Sequence, residues 1–155
     1  MELIRTNALD ANFIAMVAEL DKELAIIDGD DHSFFATYNK TIDIHHTIVA
    51  YIDSKPVGCG AIKHYNDTTM EVKRMFVLTA MRGKKIANAI LDELEKWTVE
   101  LGYQSCILET STRLPSAVKL YERTGYDRID NYGQYIGVPT SICMFKTILN
   151  PSIPA

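Results

Sequence analysis

The run Glu71-Val-Lys-Arg-Met-Phe-Val77, followed five residues later by Arg82-Gly-Lys-Lys-Ile-Ala87, constrains this chain more than any other stretch. A strand-like segment enters a tight basic turn, and the turn opens onto an amphipathic helix predicted over Lys84–Leu101. Ile86, Ile90, Leu94, Trp97 and Leu101 advance by three or four and predict one buried stripe. Gly102 stands where a helix C′ glycine stops the run. A strand feeding a helix through a cationic turn puts free backbone N–H groups beside Arg82, Lys84 and Lys85, a seat suited to a pyrophosphate. Cations at a helix start oppose its dipole, so their presence there is better explained by a bound anion than by helix stability.

The rest of the chain supplies partners for this unit. Residues 2–6 read as a short strand, and Phe13, Met16, Val17, Leu20, Leu24 and Ile27 predict a helix over Asn12–Ile27 capped by Asp10 or Asn12. A second short helix is expected around Phe34–Asn39. Thr47–Ile52 and Val57–His64 are β-rich runs around the turn Asp53–Pro56, and Asn66–Thr68 turns into the strand Thr69–Val77. Ser105–Thr110 is a short apolar strand. Pro115 opens a helix that ends at Gly125, and Tyr126–Ile129 and Ser141–Ile148 are the last strands. This order predicts an α/β fold, α+β in some schemes, with one domain over 1–150 and a flexible tail at 151–155.

Bulk properties narrow the function classes. A chain of 155 residues with 47% apolar and 23% charged residues can bury one substantial core. The net charge of −4 argues against a general nucleic-acid binder, whereas the local cluster Lys73, Arg74, Arg82, Lys84 and Lys85 suits a small anionic ligand. Cys59, Cys106 and Cys143 are widely spaced in apolar runs and read as reduced core residues. Neither a signal peptide nor a membrane span is expected, so the default expectation is a cytoplasmic protein with no membrane partner. Asp28-Gly-Asp-Asp-His32 lacks metal-loop spacing and is expected to be a solvated loop, with no metal bound. His45 and His46 are expected at the surface. His64 is a weak alternative base, and Asn131–Tyr135 suits either contact with a polar acceptor or turn packing.

The basic turn after the central strand, with Leu120-Tyr-Glu-Arg-Thr-Gly-Tyr126 after the next one, resembles the GCN5-related N-acetyltransferase (GNAT) superfamily. The resemblance is strongest over residues 47–128. It implies a mixed, mostly antiparallel central sheet flanked by about four helices, with acetyl-CoA as co-substrate. On this resemblance Met75, Phe76 and Val77 would offer backbone groups to the pantetheine arm, and Arg82, Gly83, Lys84, Lys85, Ile86 and Ala87 would hold the pyrophosphate. Lys85 stands where relatives carry a glycine; read as part of the first helical turn, it is expected to need no positive φ. Leu114 replaces an amide side chain that many relatives aim at the cofactor.

The resemblance also assigns chemistry. Glu71 would be the base that deprotonates the amine, on the face shared by Lys73, Met75 and Val77; a surface pairing with Lys73 is the other reading. Tyr121 would protonate the departing sulfur, or else be a core aromatic beside Ala117, Val118 and Leu120. The Val77 N–H would steady the oxyanion. The implied reaction is direct acetyl transfer to a primary amine of a small molecule, amino-acid derivative or protein, in a monomer or a homodimer. A non-catalytic acyl-CoA-binding or interaction module of the same fold is the alternative.

Overall fold

The computed structural model describes residues 1–38 and 43–149. The expected tail at 151–155 and the Asn39 end of the second helix lie outside the described residues. Among the described residues the strands form a seven-stranded sheet in the order β1-β2-β3-β4-β5-β7-β6. The described chain divides into two compact units, Met1–Lys63 with Val72–Lys96, and the described part of His64–Glu71 with Trp97–Ala155.

The first unit holds β1 (Glu2–Thr6), α1 (Ala11–Asp28), α2 (His32–Tyr38), β2 (His46–Ile52), most of β3 (Lys55–Asn66) and β4 (Thr69–Val77), and most of α3 (Ile86–Glu100). β1, β2 and β3 pair antiparallel, with Ile4 opposite Val49 and Val49 opposite Cys59. The β2–β3 connection is tighter than the sequence suggests. Asp53 and Ser54, at φ +50° and +64°, make a two-residue turn, and Ile52 pairs with Lys55. Both left-handed residues match the twist of a primed hairpin turn. Pro56 therefore already belongs to β3, beside a register shift between Ala50 and Tyr51 where a missing N–H is tolerated.

Asp10 caps α1 as expected, its carboxylate accepting the Asn12 and Phe13 amides at 2.9 and 3.0 Å. Phe13, Met16 and Leu20 then pack with Ile44, Val49, Cys59, Ala61 and Phe76. The glycines of β3 point the other way. A Cβ on Gly60 would stand 2.6 Å from Met75 Sδ and 2.7 Å from Ile90 Cγ2, and one on Gly58 would stand 2.9 Å from the Phe76 carbonyl oxygen. These two positions let α3 approach the sheet closely. The segment Asp28–His32, expected as a loop, is instead helical. α1 runs through Asp28, a 3-10 turn takes Gly29–Asp31, and His32 begins α2.

α3 starts two residues later than predicted, at Ile86, and buries Ile86, Ile90, Leu91 and Leu94. Leu101 is a correction to the expected stripe: it lies past the helix end and is 38% exposed. Tyr103 and Gly102 donate to the Thr98 and Val99 carbonyls at 3.1 and 3.0 Å, and Gly102 sits at φ +93°. That Schellman closure turns the chain before Leu101 can join the stripe.

In the second unit β4 meets β5 (Ser105–Ser111) in parallel, from Thr69 opposite Ser105 to Glu71 opposite Ile107. β7 (Ser141–Thr147) pairs antiparallel with β5 and with β6 (Asp127–Ile129). α4 (Pro115–Arg123) carries its proline in the first turn and ends in the same closure, Tyr126 donating to Tyr121 at 3.0 Å beyond Gly125 at φ +98°. Cys59, Cys106 and Cys143 are buried free thiols, on β3, β5 and β7. Among the described residues no helix is long and apolar enough to cross a membrane.

Candidate active site

The basic turn differs from its sequence reading in one physical respect. Gly83 and Lys85 both take left-handed conformations, at φ +80° and +62°. Lys85 is thus not in the first helical turn but in the turn that precedes it. A lysine here carries the strain that the family glycine avoids, which overturns the expectation that no positive φ is needed. Ala89 donating to the Lys85 carbonyl at 3.1 Å opens the helical ladder, so the amides of Ile86, Ala87 and Asn88 have no intrahelical acceptor. Arg82, Gly83, Lys84 and Lys85 are exposed, and a Cβ on Gly83 would meet nothing within 4 Å. Amides without an intrahelical acceptor, open space and exposed cations fit a pyrophosphate chemically.

Arg82 is more constrained than its sequence context implies. Its Nε donates to the Val77 carbonyl at 2.9 Å, and its guanidinium meets Glu23 of α1 at 2.9 Å and lies 5.6 Å from the Phe76 ring centroid. The structure thereby ties Arg82 to the end of β4. Spacing could not signal Glu23, which stands 59 residues earlier in the chain.

Within β4, Arg74 adopts φ +58°. Its side chain is buried and ion-paired with Asp21 of α1. The left-handed residue interrupts the pleat, so the expectation that Glu71 shares one face with Met75 and Val77 loses its basis. Met75 and Val77 point toward the glycines of β3, while Phe76 packs with α1.

Glu71 lies in the second unit and is 9% exposed. Its carboxylate accepts a hydrogen bond from the Tyr132 hydroxyl at 2.6 Å, in a buried setting where the other reading placed it on an exposed face. Burial, then the charge of Glu71 and its hydrogen bond, hold the Tyr132 phenol far above its ordinary range. Tyr132 also meets Tyr65 and Tyr135 edge-on, with ring centroids 5.3 and 5.5 Å apart. The loop 131–135 was legible as a candidate, but its meeting with Glu71, 61 residues away in sequence, was not. Asn131 has a structural role, donating to the Tyr135 and Val138 carbonyls at 3.0 and 3.1 Å.

Tyr121, in the same unit, is 6% exposed and packs edge-on to Tyr126. Burial, followed by the negative charge of Glu109, raises its phenol above the ordinary value. Glu109 accepts a hydrogen bond from Ser141 Oγ at 2.8 Å, and its charge also acts on Tyr135. His64 is exposed and its Nδ1 meets the Tyr103 hydroxyl at 2.8 Å. Among the described residues no group of three or more His, Cys, Asp or Glu side chains is placed to hold a metal ion.

Comparisons with known proteins bear on the family and the fold. The IAA acetyltransferase of Azospirillum brasilense is 29% identical over 154 residues, covering 94% of this chain and 97% of its own length. A Klebsiella pneumoniae structure assigned as an acyl-CoA N-acyltransferase matches with a TM-score of 0.79 at 24% identity, covering 96% of this chain and 97% of that one. The PaiA N-acetyltransferase of Thermoplasma acidophilum, solved with coenzyme A, matches at 0.70 and 17% identity, covering 95% and 99%. At these identities the two structures speak for the fold. The family model for the acetyltransferase (GNAT) family matches residues 14–126, from the first helix through the turn after α4. The chain therefore belongs to the acetyltransferase (GNAT) family and is an N-acetyltransferase.

Proposed function

We propose that this chain moves an acetyl group from acetyl-CoA directly to a primary amine of a small molecule, an amino-acid derivative or a protein. The observation that carries the reading is the turn Arg82–Lys85, with two left-handed residues, exposed cations and a helix start whose first amides have no intrahelical acceptor. The coenzyme A complex of the Thermoplasma acidophilum neighbour supports the same donor class. Gly83 to Ala87 receive the pyrophosphate through backbone N–H groups, with Lys84 supplying positive charge. Arg82 serves through its geometry as well as its charge, since its bond to Val77 fixes the turn against β4. Met75, Phe76 and Val77 offer main-chain groups to the pantetheine arm. The Val77 carbonyl is engaged by Arg82, and the Val77 N–H serves as the oxyanion donor.

When bound, acetyl-CoA supplies an activated acyl carbon and a thiolate leaving group. The attacking amine forms a C–N bond as the C–S bond breaks. Glu71 takes the amine proton, directly or through water, and Tyr132 orients its carboxylate. Tyr121 donates a hydrogen bond to the departing sulfur. Because its phenol lies above its ordinary value of 10.0, a thiolate whose thiol titrates near ~8.5 cannot hold that proton at Tyr121's expense. The sulfur is protonated in net terms by solvent, or through Tyr121 with immediate replacement.

Acceptor-dependent release of CoA tests the proposal. Glu71→Gln should lower kcat by about 10²–10⁴ while leaving CoA affinity unchanged, and Tyr121→Phe should lower it by a smaller factor. Unchanged release in both variants would remove the assigned chemistry. CoA binding with no release to any amine would make the chain a binding module.

A further inference from the structure

In the second unit Glu71 is a buried carboxylate with no ion pair among the described residues. The hydrogen bond of Glu71 comes from the Tyr132 hydroxyl, and among the described residues no lysine, arginine or histidine forms an ion pair with it. Several arginines of the first unit, by contrast, are ion-paired. Arg74 has Asp21, Arg82 has Glu23, and Arg5 has Glu93 at 2.9 Å. A buried carboxylate without a counterion is costly unless a cation arrives from outside.

The surroundings of Glu71 say which kind of cation. Tyr65, Tyr132 and Tyr135 form a row of rings whose successive planes meet at 78° and 86°. Exposure falls from 41% at Tyr65 to 2% at Tyr135, so the row begins at the surface and ends in the interior. Glu71 is bonded to its middle member. Aromatic faces attract a cation and accept apolar carbon equally well, and a carboxylate within the group adds a full negative charge. Glu109 contributes a second negative charge that reaches Tyr135. An acceptor bringing its own carboxylate would meet like charge.

We propose that Tyr65, Tyr132 and Glu71 form the acceptor-recognition subsite, selecting a primary ammonium on an aromatic or apolar skeleton over one with a carboxylate on the adjoining carbon. This deepens the acyl-transfer reading and rests on it for the role of the bound amine. Glu71 pairs with the ammonium before it takes the proton. Tyr132 holds the carboxylate and is a positioning residue, and Tyr65 forms the outer wall.

A matched pair of ligands tests this. Calorimetric titration of the full chain at neutral pH would compare phenethylammonium with phenylalanine, which adds a carboxylate beside the amine. Phenethylammonium should bind at least about tenfold more tightly. Glu71→Gln should bring the two within about threefold. Tyr65→Leu, at an exposed position, should weaken phenethylammonium by roughly threefold or more. Tyr132→Phe should raise KM for the amine and narrow its advantage over phenylalanine, an outcome that loss of packing alone would not give. Equal or tighter binding of phenylalanine, binding of neither ligand, or an unaltered preference in Glu71→Gln would overturn the proposal. A parallel titration with coenzyme A separates the two readings. Selective amine binding without coenzyme A binding would sink acyl transfer and leave the subsite, whereas coenzyme A binding with indifferent amine binding would sink the subsite alone.

Discussion

Lys85 shows how one residue can oppose its local backbone. At φ +62° its Cβ crowds the neighbouring carbonyl, a cost of about 1–2 kcal/mol that glycine would not incur. Glycine returns part of the gain through the entropy of the unfolded chain, so Lys85→Gly should stabilise by about 1 kcal/mol. For a chain of this length that raises the melting temperature by about 2–4 °C. Lys85→Ala keeps the Cβ and should give no such rise, which separates strain from charge. Coenzyme A affinity should stay level or tighten in Lys85→Gly; a large loss would make the lysine side chain itself a phosphate ligand. The strain is not legible in sequence because the apolar period starts the helix at Lys84, two residues before Ile86. The bond between Tyr132 and Glu71 was equally hidden, since neither periodicity nor motif spacing links positions 61 apart.

At the scale of elements, the contact of β3 with α3 depends on two missing side chains. Gly60→Ala would push its methyl to 2.6 Å from Met75 Sδ and 2.7 Å from Ile90 Cγ2. Both are side-chain atoms that can shift, so a loss of about 1–3 kcal/mol is expected. Gly58→Ala meets the Phe76 carbonyl oxygen at 2.9 Å, a backbone atom that cannot rotate away. It should be the more damaging change in urea denaturation, and because Phe76 precedes Val77 it should also weaken coenzyme A binding. Equal stability of both variants and the parent would mean that α3 is not held by this close approach. The elements themselves were readable where local chemistry was decisive. Pro115 and Gly125 bracket α4, Asp10 caps α1, and Thr69–Val77 is the strand the β-rich run predicts. The helical Asp28–His32 was not readable, because its glycine and acidic residues are turn formers whose 3-10 geometry joins two helices.

Across the whole molecule, several buried acids hold their protons more tightly than they would in the unfolded chain. Burial lifts the Cys59 thiol to about 12, with the charge of Arg74 opposing it, and the phenols of Tyr121, Tyr132 and Tyr135 are raised as well. A raised folded-state pKa gives stability that is complete below the unfolded value and is lost as pH climbs toward the folded one. The urea midpoint should therefore be level from pH 7 to 8 and fall above about 9, each group contributing at most ~1.4 kcal/mol per pH unit. A midpoint unchanged up to pH 11 would mean that these groups are solvated. The succession of strands and helices along the chain was legible from period and punctuation, because each is specified by neighbours in sequence, whereas their order in the sheet was not. The pairing of β5 with β7 and the ties of Arg74 to Asp21 and Arg82 to Glu23 come from the folded chain alone. The central claim is that the turn before α3 seats a pyrophosphate. Calorimetric titration of the full chain with coenzyme A and with pantetheine, which lacks that group, tests it most directly. Two charge-assisted hydrogen bonds give about 3 kcal/mol, so coenzyme A should bind about 100-fold more tightly than pantetheine, and Arg82→Ala should narrow the gap. Equal affinities, or no heat from coenzyme A, would contradict it.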